Sequence, residues 1–217
     1  MGRHDWYRLS TWTDEDRRNF RARLERSRGA SSRSQYLRIQ ALHLAEATPP
    51  CLEGALELLD EFLRDYPTEA TQLSQAHAQR GSCLARLGRH DEALAAFQSS
   101  LAAERRFPYS KCDAYLDYAD LVVQAQRTEL YKDALAEINK REPGGPFPIQ
   151  QYRIGVAKAF LCEALGRMAE ARDAALRAIA ASGETQSPFQ YHRDLGIVTQ
   201  IDDGVQARLW RLAGTQD

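Results

Sequence analysis

The sequence is poor in the residues that build strands. Valine and isoleucine together number 12, against 32 alanines and 25 leucines. β-Branched side chains favour strands, whereas alanine and leucine favour helices, so an all-α chain is expected. Cysteine is sparse. The four, Cys51, Cys83, Cys112 and Cys162, form no C-x-x-C pair and stand in no close Cys/His group. No zinc site is therefore expected, and they read as small buried hydrophobes in a reducing compartment. Nor is there an apolar run of about 18 residues, the length a membrane-spanning helix needs. The opening residues Met1-Gly2-Arg3-His4-Asp5-Trp6 lack the apolar stretch of a secretory signal, and Trp6 departs from the myristoylation pattern. A cytoplasmic location with no membrane partner is the expectation. Neither sign of charge prevails: 29 basic residues face 30 acidic ones, for a net charge of −1. That balance argues against a general nucleic-acid binder and against a polyacidic tail protein.

Motifs of chemistry are missing as well. The histidines His4, His43, His77, His90 and His192 never stand at i, i+4 from one another, and none lies in H-E-x-x-H. No G-x-S-x-G, Walker A or G-x-G-x-x-G occurs. The acids Asp14-Glu15-Asp16 and Asp202-Asp203 are consecutive, so they do not face each other on a helix, and they read as helix-start residues. No catalytic residue, metal ligand or cofactor is expected, and the chain is read as a non-enzyme.

What the sequence does have is a repeat. Residues 77–108 read HAQRGSCLARLGRHDEALAAFQSSLAAERRFP. Gly81 and Ala93 have almost no side chain, so two helices can approach closely there, with Phe97 filling the wedge. Gly88 can take positive φ and end the first helix, and Asp91 favours the dipole of the next. Weaker copies flank this one: Ala55, Leu59, Phe62 and Pro67 in 51–67, Ala134 and Ile138 in 128–143, and Gly166, Ala171, Ala175 and Ala178 in 165–181. The anchor alanines Ala55, Ala93, Ala134 and Ala171 are spaced by 38, 41 and 37 residues. Loop punctuators at 48–50, 107–110 and 143–146 absorb the irregular lengths.

These residues resemble the tetratricopeptide repeat (TPR), whose unit is about 34 residues. The resemblance covers residues 34–182. It departs from the pattern at Ser100, where alanine is usual, and at Pro108, which comes late. It implies a right-handed TPR-like α-solenoid of about four helical pairs with N- and C-terminal capping helices. The expected pairs are 34–47 with 52–66, 70–87 with 91–105, 111–127 with 130–141 and 148–165 with 168–182. Three segments follow: an aromatic and arginine-rich N-terminal segment (1–33) holding a helix over 14–27 with Thr13 as N-cap, the repeats (34–182), and a C-terminal capping segment (183–217) with a helix over 202–212. Trp6, Tyr7 and Trp12 at one end, and Phe189, Tyr191, Ile197, Val198 and Trp210 at the other, are expected to cover the apolar end faces. The ends also resemble those of a group of uncharacterised bacterial TPR proteins, through Asp5-Trp6-Tyr7-Arg8…Trp12, Arg23-Leu24…Arg26…Arg28 and Phe189…Tyr191-His192-Arg193-Asp194-Leu195-Gly196-Ile197-Val198.

The resemblance implies a binding surface. In this family the first helices of the pairs line a concave face that takes extended or helical peptides. Counting from Gly81, the groove positions of the second pair are Gln75, Ala78, Ser82, Ala85 and Arg86. Counting from Ala159, which takes the place of Gly81, those of the fourth pair are Arg153, Val156, Phe160 and Glu163. The expected partner-binding residues are Gln75, Ser82, Arg86, Arg153, Phe160 and Glu163, suited to a peptide with acidic and apolar residues. The asparagines of a C-terminal-carboxylate clamp are absent from the first helices. Tyr115, Tyr118 and Tyr152 fit groove or core equally. The expected function is a non-catalytic adaptor or scaffold that holds a protein or peptide segment. The alternative is a small-molecule sensor or enzyme with a pocket near the terminal segments, lined by Trp12, Tyr191, His192 and Arg193. The arginines of 17–28 leave three readings: a solvated face, a contact with acidic surface within the chain or in a homodimer, or phosphate and nucleic-acid binding.

Overall fold

The structure is a computed structural model, and it describes residues 5–141, 144–189 and 191–214. His4 and Pro143 lie outside the described residues. Among the described residues the chain is all-helical, with no strand. The α-helices are α1 (Asp14–Arg26), α2 (Ala30–Glu46), α3 (Leu52–Asp65), α4 (Ala70–Arg86), α5 (His90–Arg106), α6 (Ala114–Gln124), α7 (Tyr131–Asn139), α8 (Pro148–Ala164), α9 (Met168–Ser182) and α10 (Asp203–Ala213). The chain forms two compact units, Met1–Asp117 and Tyr118–Asp217.

In the first unit α2 packs on α3 and α4 on α5, with α3 also against α4. The reason lies in the spacing of apolar side chains. Leu37, Ala41 and Leu44 of α2, Ala55, Leu59 and Phe62 of α3, and Ala93, Phe97 and Leu101 of α5 are all buried at three- and four-residue intervals. Gly88 ends α4 with φ of 75°. The helix of the arginine-rich segment begins where Thr13 places it. Thr13 Oγ1 accepts from the Asp16 amide at 3.2 Å, and Asp16 Oδ2 accepts from the Thr13 amide at 2.9 Å, a reciprocal capping box. The hydrogen bond from the Thr13 backbone holds the Asp16 carboxyl below its ordinary value, against the opposing effect of burial and with the Thr13 and Thr11 hydroxyls assisting. A carboxyl depressed on folding stabilises the fold above its unfolded pKa, and that contribution is lost as pH falls through the folded one. Thr13→Ala is therefore expected to cost about 1 kcal/mol at neutral pH, and Asp16→Asn, which keeps an acceptor but has no charge to lose, to flatten the acid limb of the stability curve. Urea titrations between about pH 7 and pH 2 check both.

The N-terminal segment covers α2 and α1 with aromatic rings. Trp6 lies 4.9 Å from Tyr36 and 5.5 Å from Phe20, centroid to centroid, and Trp12 lies 5.5 Å from Phe20. The buried Gln40 amide fixes the strap by accepting from the Leu9 amide at 2.9 Å and donating to the Leu9 carbonyl at 2.8 Å. Two helix starts differ from expectation by three residues or more. α2 starts at Ala30 rather than 34, because Gly29 takes φ of 83° and completes the reversal in fewer residues. α6 starts at Ala114 rather than 111, because the preceding loop is tied down. Ser110 Oγ donates to the Thr71 carbonyl and Ser74 Oγ to the Ser110 carbonyl, each at 2.8 Å, and the Cys112 amide donates to Glu104 at 2.6 Å.

In the second unit α8 packs on α9, and α10 packs on α9. Asp202 caps α10 by accepting from the Val205 amide at 2.9 Å. The coverage of α9 differs from expectation. Leu209, Leu212 and Ala213 are buried, whereas Trp210, Phe189 and Tyr191 are exposed, Tyr191 at 88%. With α10 starting at Asp203, the helical period turns Trp210 away from the face that holds Leu209 and Leu212. Ile197 and Val198 are half-buried.

Candidate functional site: two concave faces built from first helices

In the first unit, Gln75, Ala78, Gln79, Ser82, Cys83 and Arg86 of α4 lie at intervals of three and four residues, so they share one face. That face floors an open cavity of about 510 Å³, walled by Arg38, Ala41, Leu42 and Ala45 of α2 and by residues 112–114 and Asp117. In the second unit, Tyr152, Arg153, Val156, Ala157 and Phe160 of α8 floor a cavity of about 560 Å³. Its walls are Asp120, Val123 and Gln124 of α6 and Val205 and Arg208 of α10. Each cavity thus has the first helix of a pair as its floor, and the two floors agree in register: Gln75 corresponds to Arg153, Ala78 to Val156 and Ser82 to Phe160.

Five of the six residues expected to bind a partner line these cavities: Gln75, Ser82 and Arg86 in the first unit, Arg153 and Phe160 in the second. Glu163 is placed differently, on the edge of α8, where it accepts from Arg208 at 2.7 Å and from Arg211 at 2.8 Å. Arg208 also lies 3.9 Å over the Phe160 ring. Both interactions fasten α10 to α8. Arg153 is paired with Asp120 at 2.6 Å. Tyr115 and Tyr118 belong to the core, and Tyr152 is both buried and part of the cavity floor. Ala85 is not among the lining residues of the first cavity.

Arg38 is the residue that sequence reasoning missed. Its signal is a repeat offset: Arg38, Ala41, Leu42, Ala45 and Glu46 each precede Gln75, Ala78, Gln79, Ser82 and Cys83 by 37 positions. α2 has no glycine at the crossing position to anchor that register, so the offset goes unnoticed. The electrostatics of the cavities are set by burial. Desolvation lowers the pKa of the half-buried Arg38 guanidinium. Burial pushes the Cys83 thiol up to about 11, against the opposing charge of Arg86, and raises that of Cys112. Both thiols are therefore protonated at neutral pH and are poor nucleophiles. The Tyr152 hydroxyl is pushed up by burial and by Asp202 and Asp120.

The residues of the alternative pocket are dispersed in character. Trp12 is buried, while Tyr191, His192 and Arg193 stand exposed on the segment before α10. On α1, Arg17 pairs with Glu57 and Arg21 with Glu57 and Glu61 of α3, whereas Arg18, Arg23 and Arg26 are exposed. One edge of that helix thus makes a contact within the chain, Phe20 and Leu24 are buried, and the exposed arginines lie on a solvated face. Among the described residues no group of three or more His, Cys, Asp or Glu side chains is arranged to hold a metal ion, and no helix is long and apolar enough to cross a membrane.

No protein-family model matches the chain, and none of the curated proteins matches it. Among solved structures, it is similar to BtubC (BKLC) from P. vanneervenii. The two are 12% identical, the likeness covers 87% of this chain and 80% of that one, and the TM-score is 0.59. The likeness is one of fold.

Proposed function

We propose that the protein is a TPR-like α-solenoid acting as a non-catalytic, cytoplasmic adaptor, and that it holds a peptide segment of a partner protein on the concave faces formed by its first helices. The observation that carries this reading is the shared register of the two cavities. α4 and α8 present equivalent positions to an open, half-apolar hollow of about 510 and 560 Å³. A repeated small-residue helix crossing that leaves one side chain in three or four facing an open hollow suits an extended or helical peptide. Both cavities mix apolar and charged walls, as specific but modest peptide grooves do.

The test is selection of peptides of about twelve residues from a random displayed library on the full chain. Ser82→Trp places an indole in the middle of the first cavity floor and is expected to weaken the selected peptides at least about tenfold. Its circular dichroism and melting temperature should match the parent, because Ser82 faces the hollow rather than α5. Undiminished binding to a folded Ser82→Trp variant counts against the groove.

A further inference from the structure

The two cavities differ in how their arginines are neutralised. In the second unit each groove arginine has a carboxylate: Arg153 pairs with Asp120 and Arg208 with Glu163, both at 2.6 Å. In the first unit the groove arginines have neutral acceptors. Arg38 Nε donates to Gln72 Oε1 at 2.6 Å, and Arg86 Nη1 donates to the Ala45 carbonyl at 2.6 Å. Among the described residues neither takes part in an ion pair. A guanidinium offers five N–H donors in a fixed fork, and both arginines line the hollow. Arg38 is also half-buried, and a desolvated cation without a counter-ion is a standing cost to the fold.

We infer that the first-unit groove takes a peptide segment bearing side-chain carboxylates, with one carboxylate gripped by Arg38 and a second by Arg86. This rests on the adaptor reading and gives its ligand a chemistry. The spacing follows from the helix. Arg86 bonds at Ala45, seven residues along α2 from Arg38, so the two anchor points are about 10 Å apart along the axis. An extended chain covers that in about three residues. Glu46, Asp113 and Asp117 line the same cavity, so an unbroken acidic run, or a nucleic-acid backbone, is repelled. The segment that fits carries two acids about three residues apart, with apolar side chains between them over Ala41, Ala45 and Ala78.

The library selection tests this with the full chain. Peptides selected on the parent should be enriched in Asp or Glu at two positions about three apart. Arg38→Met should abolish that enrichment and weaken a selected peptide at least about tenfold, while Arg38→Lys, which keeps the charge but not the fork, should retain part of the affinity. Arg89→Gln, on an arginine already bonded to Glu92 at the start of α5, should leave binding unchanged. The melting temperature separates roles: removing a desolvated, uncompensated charge keeps or raises it, whereas removing a structural brace lowers it. Selected peptides without acidic enrichment, yet blocked by Ser82→Trp, overturn this inference and leave the adaptor reading standing. An absence of any enriched peptide overturns the adaptor reading itself.

Discussion

Gly81→Val should destabilise the first unit by about 3 kcal/mol or more, the upper end of what overpacking costs. A Cβ at Gly81 would lie 2.6 Å from Cε1 and 2.7 Å from Cδ1 of Phe97, well inside contact distance. Phe97 is only 1% exposed, so its ring has no open side to move into. The change would gain about 0.5 kcal/mol of helix propensity, too little to offset the collision. Urea unfolding at constant slope measures the loss. Two comparisons isolate the cause. Gly88→Ala meets nothing within 4 Å but sits at φ of 75°, and its cost should be confined to about 1–2 kcal/mol of backbone strain. Combining Gly81→Ala with Phe97→Leu should give a double variant more stable than the two single costs predict, because each substitution makes room for the other. Parent-like stability for Gly81→Val would mean that α4 and α5 do not meet at this point.

How much of this was legible in the sequence depends on whether a residue's role is local. Thr13 as a cap and Gly88 as a helix end follow from backbone chemistry within a few residues, and each stands where the sequence put it; of the two acids offered at the start of α10, Asp202 is the cap. The small-residue crossing at Gly81 and Phe97 was legible because its whole pattern fits in one hairpin. The floors of the two cavities share the register that the sequence carries. What failed was information held between distant segments. The start of α6 is decided by Ser74, Ser100 and Glu104 in other helices, which bond to Ser110 and Cys112 of the loop before it. Glu163 looked like a free groove carboxylate because nothing local announces that Arg208 and Arg211, more than forty residues later, reach it. Arg38 was invisible for the converse reason: its isolation from carboxylates is a property of everything around it.

The packing of α8 on α9 at Gly155 is another such case. Sequence reading placed the crossing at Ala159, by analogy with Gly81. Ala159 is buried, and one turn earlier Gly155 also lies tight against α9. A Cβ there would lie 2.8 Å from Ala178 Cβ, 3.0 Å from Ala178 Cα and 3.0 Å from the Ala174 carbonyl oxygen. Two of these three neighbours are backbone atoms, which have no rotamer to change, so the helices themselves must separate. Even Gly155→Ala should therefore be net destabilising: its gain of about 1 kcal/mol in helix propensity is opposed by about 1–3 kcal/mol of overpacking. Gly155→Val should exceed about 3 kcal/mol and leave the second unit poorly folded. The sign for alanine is the informative measurement, because propensity alone predicts stabilisation. Ala178→Gly removes one of the colliding atoms, so on the Gly155→Ala background it should cost much less than the roughly 1 kcal/mol it costs on the parent. If thermal unfolding shows Gly155→Ala to be stabilising, the small side chains of α9 are serving propensity rather than proximity, and the nesting of α8 on α9 is looser than the distances state.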